Sequence, residues 1–365
     1  MSRGFGYTRD VSSETLAGRF ELGPERWVAP LGPVSEGKQH VGPGRRKVAI
    51  QRLTAPLKDR DAFLEALIDV QGKASRAAIP GVQRLLDVVE EGEDTFLVWD
   101  WVDGPTLREW VEAHHEKGSP APYGFLLAIA KDLLFTLHAL HGKGRPLAHG
   151  GIGARAVRLD RSGFPVVTRF GVCAALEQTG ETGAWITERH VRVEAPEGGL
   201  APPVDVFGAG LTLYAVLAGA SDFSVMPDEL KERLEAGRPV DLALIREDVP
   251  PVILRTIERA LASDLRERFE TAAAMARSCE LLLRSLPEST DAPALAKEIE
   301  RTLPRNAPPP APPKTRASER SGSRSAPPSP PAGAGSKPKG LKQESTDQIN
   351  LEELGTLQID DDTPE

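Results

Sequence analysis

The chain has 365 residues, 40% hydrophobic and 27% charged, enough for one large domain or two modest ones plus a tail, which excludes a small disulfide-stapled scaffold. Its 45 basic and 53 acidic side chains leave a net charge of −8, so nothing pulls the whole chain toward nucleic acid or an anionic membrane. Cys173 and Cys279, the two cysteines, lie far apart with no metal-ligand spacing and are expected to be buried free thiols of a reducing compartment. The N-terminal residues lack a signal-like apolar stretch, and no run approaches the roughly 18 apolar residues of a membrane helix. The expectation is a cytoplasmic protein that contacts neither membrane nor nucleic acid.

Residues 1–18 read as an extension. Short β-like runs follow at 47–53 (KVAIQRL), 82–89 and 95–102, with a helix expected over 61–70. From about residue 105 helical patterns dominate, at 106–116, 123–140, 203–217, 252–261 and 272–286. A last helix has Asp291 as N-cap, Pro293 in its first turn, and Leu295, Ile299 and Leu303 at four-residue spacing. Strands first and helices after is an α+β order. The 34 glycines and 32 prolines are unevenly placed. Prolines crowd 304–343, a basic Pro/Ala/Ser-rich linker that cannot offset its ordering entropy by burial and is expected to be disordered. From residue 344 to 365 the chain carries eight acids and no base.

Several segments, in order, match the signature set of protein kinases, over roughly residues 19–285. KVAIQRL resembles the strand whose lysine holds the ATP phosphates, with Gln51 in the lysine position. DTFLVWDWVDGPTLREWV resembles the strand and hinge where adenine would bond backbone around Asp100, Trp101 and Val102. LHGKGRPLAHGGIGARAVRLD matches the catalytic loop, with His149 retained and Gly150 in the arginine position. Gly151 stands for the catalytic aspartate, Gly153 for the phosphate-facing lysine and Ala156 for the magnesium-binding asparagine. VVTRFGVC matches the strand into D-F-G: Phe170 and Gly171 remain, and Arg169 replaces the metal-binding aspartate. The stretch after Phe20 has no G-x-G-x-x-G, and Pro24, Pro33 and Pro43 are expected to interrupt its hairpin. The acid on the small-lobe helix is read as Glu65 or Asp69.

Residues that hold the fold together survive. Ala195, Pro196 and Glu197 form an intact A-P-E, Asp205 fits the aspartate that holds the catalytic-loop backbone, and Arg268 fits the partner of Glu197. Ala49, His149 and Phe170 keep the types of the internal packing columns. The resemblance implies a bilobal kinase-like fold. Its β-rich small lobe covers about 19–99 and its α-helical large lobe about 103–303. The pattern of losses implies a pseudokinase with no catalytic residue, no metal and no required cofactor, acting as a scaffold or allosteric protein partner. The alternatives are an active atypical serine/threonine kinase and a sensor that binds ATP without catalysis. In the sensor, a residual pocket of Ala49, Gln51, Asp100, Trp101, Val102 and Arg169 would hold ATP weakly without Mg²⁺, the guanidinium pairing with phosphate. The competing role for Arg169 is an ion pair with Glu65 or Asp69. Asp160 reads as a turn residue, and His138 with His141 as a packed or solvated helix face. In the tail, Thr346 and Thr356 each precede an isoleucine by three residues. This pattern suits docking, once phosphorylated by an active kinase, to a phosphothreonine-reading domain.

Overall fold

The computed structural model describes residues 15–142, 146–191, 193–235 and 239–305. The N-terminal residues 1–14, the linker past residue 305 and the acidic segment with Thr346 and Thr356 lie outside the described residues.

Six strands build the small lobe: β1 (Thr15–Leu16), β2 (Phe20–Ala29), β3 (Gly32–Val41), β4 (Gly44–Arg52), β5 (Leu85–Glu91) and β6 (Asp94–Asp100). They form one antiparallel sheet in the order β1-β2-β3-β4-β6-β5. Residues 15 and 16, read as part of the extension, instead form its edge. Period-two alternation divides the sheet's apolar residues. Val48, Ile50, Phe96 and Val98 pack with Leu16, Phe20 and Val89 on one face, while Ala49, Leu97 and Trp99 face the large lobe. Both faces are covered, which is why KVAIQRL reads as an almost continuous apolar run.

The prolines do not interrupt the hairpin. Pro24 falls at a register shift between Leu22 and Glu25, Pro33 sits at the start of β3, and Pro43 lies in the β3–β4 turn. Each place spares a ladder donor. Helix α1 (Arg60–Ala77) is capped by Asp59, whose side chain accepts from the Ala62 N–H, and is longer than its apolar pattern predicted. The extension turns on Gln71, polar yet buried: its Nε2 donates to the Phe170 carbonyl at 2.8 Å and its oxygen accepts from the Leu85 N–H at 3.1 Å.

The large lobe contains α2 (Leu107–Glu116), α3 (Tyr123–His141), β7 (Val157–Leu159), β8 (Pro165–Val167), α4 (Val172–Gln178), α5 (Trp185–Glu188) and α6 (Pro202–Leu217). It continues with α7 (Asp228–Glu235), α8 (Leu242–Ile245), α9 (Val252–Leu261), α10 (Ala272–Leu283) and α11 (Ala292–Thr302). Thr106 and Glu109 close a reciprocal capping box on α2. Contrary to the sequence expectation, α3 is long and apolar enough to cross a membrane by length and composition. It packs against α10 and α6 as the central helix of this lobe. Asp291 caps α11 through the Ala294 N–H; Leu295 and Ile299 are buried and Leu303 falls just past the helix end. Both cysteines are buried and neither forms a disulfide, and burial pushes the Cys279 thiol up to about 12.

One ion pair ties the A-P-E turn to the loop before α10. Arg268, 2% exposed, meets Glu197 bidentately at 2.6 and 3.0 Å and places its other donors on the carbonyls of Ala262 and Pro203. All five guanidinium N–H groups are used. Arg268→Ala strands a part-buried carboxylate and the two carbonyls and is expected to cost about 3 kcal/mol, with Arg268→Lys recovering only part because an ammonium cannot fork. Urea unfolding measures it; a loss below about 1 kcal/mol would contradict this role.

Candidate functional site: the interlobe cleft

Asp205, on α6 and fully buried, organises the loop that carries the kinase-like motif. Its carboxylate accepts from the backbone N–H groups of His149 (2.8 Å) and Gly150 (2.7 Å), and pairs with His141 Nε2 at 2.8 Å. His141 was read only as part of a helix face; His138 is exposed, and the two separate completely. The His149 ring accepts the Gly151 N–H at Nδ1 (3.1 Å), so Nε2 carries the proton and donates to the Thr168 carbonyl at 2.8 Å. Burial holds His149 below the usual imidazole range against the opposing pull of Asp205. Phe170 stacks beside it in a tilted arrangement at 6.3 Å. Asp160 caps its own turn, accepting from the N–H groups of Ser162 and Phe164.

The positions for chemistry are closed by other atoms. A side chain at Gly151 would place its Cβ 2.2 Å from the Val191 carbonyl oxygen, and one at Gly150, where φ is +74°, would meet Leu200 at 2.2 Å. The backbone of the activation segment, residues 169–197, lies against this loop: the Val193 N–H donates to the Gly150 carbonyl at 2.8 Å, and the Cys173 thiol reaches the Val191 carbonyl at 3.3 Å. Ala156 is buried and offers only its backbone, its carbonyl accepting from Thr168. Gly153 faces open space.

Gln51 is 3% exposed and turned inward, with Nε2 on the Gly32 carbonyl and its oxygen accepting the Trp99 indole N–H, both at 3.2 Å. The β2–β3 turn does not hover over a phosphate space. Its Leu31 is 1% exposed, in one apolar cluster with Ala49, Leu67, Trp99, Trp185, Ile186 and Val191. Polar contacts fasten this packing across the lobes. Arg189 donates to the Pro30 carbonyl at 2.7 Å, and Lys58 bonds Gly180 and Thr182 through Nζ and Glu181 through its backbone N–H.

At the hinge end Trp27, Arg158 and Lys47 gather around Trp101, which the kinase-like pattern places in the nucleotide pocket. Trp27 lies 6.0 Å from Trp101, and the Arg158 guanidinium sits 4.4 Å over the Trp27 ring while bonding the Gly104 carbonyl. Lys47 covers Trp101 at 5.0 Å. The Asp100 carbonyl accepts from Gln83 at 2.8 Å. Trp27, on β2 where the fold family has its glycine loop, is the sequence signal for this packing.

Arg169 pairs with neither candidate acid. Glu65 and Asp69 are both exposed on the outer face of α1, and Asp69 pairs with Lys73. The inward positions of α1 are instead Phe63, Leu64, Leu67, Val70, Gln71 and Ala74. Burial lowers the Arg169 guanidinium from its ordinary value. A kinase fold implies ATP with Mg²⁺, and the residues here do not fit the metal: Arg169 and Ala156 supply no side-chain oxygen for a cation, and Gln51, in the phosphate-binding lysine position, spends both polar ends inside the small lobe.

This antiparallel small-lobe sheet, hinge and helical lobe define a bilobal protein-kinase-like fold. No protein-family model matches the chain. It is 28% identical over 307 residues to the serine/threonine-protein kinase PknB of Mycolicibacterium smegmatis, covering 80% of this chain and 47% of that one. It is 27% identical over 237 residues to PrkC of Bacillus subtilis, covering 63% of this chain and 35% of that one. The chain thus spans less than half the length of both. Among solved structures the Mycobacterium tuberculosis PknI kinase domain matches with a TM-score of 0.56 at 20% identity, over 74% of this chain and 98% of that domain. A double mutant of the same domain matches with a TM-score of 0.57. The chain belongs to the protein kinase superfamily and carries a serine/threonine kinase-like domain.

Two outcomes follow from this geometry. Gly151→Asp is expected to lower the unfolding temperature and to restore no phosphoryl transfer, because its Cβ collides with a main-chain carbonyl; assayable transfer in a variant as stable as wild type would contradict the packing. Burial depresses both His149 and His114. As pH falls below about 6.5 the unfolded chain therefore binds protons first, so stability is full above that pH and declines toward acid. Unfolding free energies at pH 7.5 and 5.5 test this, and equal values would contradict it.

Proposed function

We propose that this chain is a pseudokinase, a kinase-like domain that transfers no phosphate and acts as a scaffold or allosteric binding partner in a phosphorylation pathway. The observation that carries this reading is the contact at Gly151. The aspartate is not merely missing; the Val191 carbonyl takes the space in which its Cβ would stand. Phosphoryl transfer relies on positioning and charge neutralisation, and the lysine, asparagine and aspartate positions that supply them hold Gln51, Ala156 and Arg169. The surviving residues, Asp205, His149, Glu197 and Arg268, maintain shape.

In this proposal the chain's work is binding protein, with no nucleotide or metal required. Partners of the corresponding chemistry are an active kinase engaging the activation segment, or a phosphothreonine-reading domain at Thr346 or Thr356. The alternative of an active atypical kinase predicts the opposite result in one assay. Purified full-length chain incubated with Mg²⁺ and γ-labelled ATP is expected to incorporate no label and to show no shift in unfolding temperature. Stoichiometric incorporation with contaminating kinases excluded would overturn the proposal.

A further inference from the structure

The kinase-like motifs end near residue 285, yet the chain goes on to form α11 and seats it beside the hinge. Leu295 and Ile299, four apart on one face of α11, are buried, as is Thr302 almost a turn further on. They face α2, where the buried ring of His114 reaches Glu298 Oε1 at 3.3 Å and Thr302 Oγ1 at 3.4 Å, and Trp110 stands edge-on to that ring at 4.7 Å. On the other side the Ala292 carbonyl comes so near Gly163, in the β7–β8 turn, that a Cβ there would lie 2.0 Å from its oxygen. Cations of other elements hold the end of α11. Lys117 Nζ, just past α2, donates to the carbonyls of Arg301 and Thr302 at 3.0 and 2.7 Å, and Arg161 donates to the Leu303 carbonyl and to Glu300. These are carbonyls that a helix leaves unsatisfied in its last turn. Arg305 then closes on Asp103, next to hinge residue Val102, at 2.8 Å. The Arg161 N–H donates to the Asp103 carbonyl and the Leu159 N–H to the Pro105 carbonyl, so the hinge and one wall of the α11 seat share a backbone ladder. The polar part of this hold is light. Asp103, Arg305 and Glu300 have side chains 53%, 62% and 52% exposed, and pairs so exposed are individually weak, which suits a helix that opens before the domain unfolds.

We propose that the seat between α2 and the β7–β8 turn is a helix-binding groove, with α11 as its occupant in cis and a protein helix of the same chemistry as its partner. That helix carries two aliphatic residues four apart, glutamates flanking the second, and an uncapped last turn for Lys117 and Arg161. Displacing α11 frees Arg305 from Asp103 and so acts on the hinge. The groove does not depend on whether the cleft transfers phosphate: label incorporation reads that question, and helix binding reads this one.

The test titrates the full-length chain with a fluorescent peptide of residues 290–305, read by anisotropy. Ile299→Asp puts a carboxylate in an apolar seat and frees the chain's own helix. This variant is expected to bind the peptide saturably and at least about ten-fold more tightly than wild type, whose tethered helix competes at high local concentration. Ile299→Ala should fall between them, and adding Lys117→Met to Ile299→Asp should weaken binding. Amide exchange gives the second reading. The Leu159 and Arg161 N–H groups should exchange faster in Ile299→Asp than in wild type and slow again with peptide, while a protected Val193 N–H reports an intact domain. If Ile299→Asp loses that protection, Ile299→Ala carries the comparison. No saturable binding to a folded variant, or equal affinity in wild type and variants, would overturn the groove. Unchanged exchange at Leu159 and Arg161 would overturn its action on the hinge.

Discussion

Gly151 and the Val191 carbonyl stand so close that residue 151 has no room for a side chain, and the arrangement of the cleft depends on this approach. It is fixed from both sides. Asp205 pins the loop by two backbone N–H groups, and the Val193–Gly150 hydrogen bond pins the activation segment to it. With the segment held there, α4 and α5 bring Cys173, Leu176, Trp185 and Ile186 into contact with the small lobe, and Leu31 of the β2–β3 turn closes over them. The cleft of this fold becomes a piece of core.

That exchange has an energetic consequence. Leu31, Trp185, Ile186 and Val191 are all buried, and exposing each again costs about 2 kcal/mol. A nucleotide that displaced only two of them would bind roughly a thousand-fold more weakly than to an open cleft. The residues left in the phosphate region offer no compensation, since both polar ends of Gln51 are spent inside the small lobe.

Much of the architecture was legible in the sequence because it rests on local rules. Thr106 with Glu109 and Asp291 with Pro293 mark helix starts by their own chemistry, and the short apolar run at 95–102 marks a strand. The positions of Glu197, Asp205 and Arg268 were readable through motif spacing, and the structure brings each to the partner its motif implied. The filling of the cleft was not legible, because it arises from long-range packing. Nothing local to Leu31 says that it meets Trp185, and nothing in Gly151 says which carbonyl approaches it. The small-lobe helix shows the same limit. Glu65 and Asp69 were the acids within reach in sequence, but the phase of α1, set by Phe63, Leu67 and Val70, turns both outward. Gln71, buried through two backbone partners, looked like an end to the apolar pattern when it is a link between lobes.

The central claim is that the activation segment closes the cleft and that nucleotide does not reopen it. Amide hydrogen exchange of the full-length chain tests this at the backbone itself, at the Val193 N–H that bonds Gly150 and the Gly151 N–H that bonds His149. Both should be strongly protected in the free protein and exchange at the same rate with millimolar Mg²⁺ and ATP present. Rapid exchange at Val193, or a rate at either amide that changes when nucleotide is added, would contradict the account.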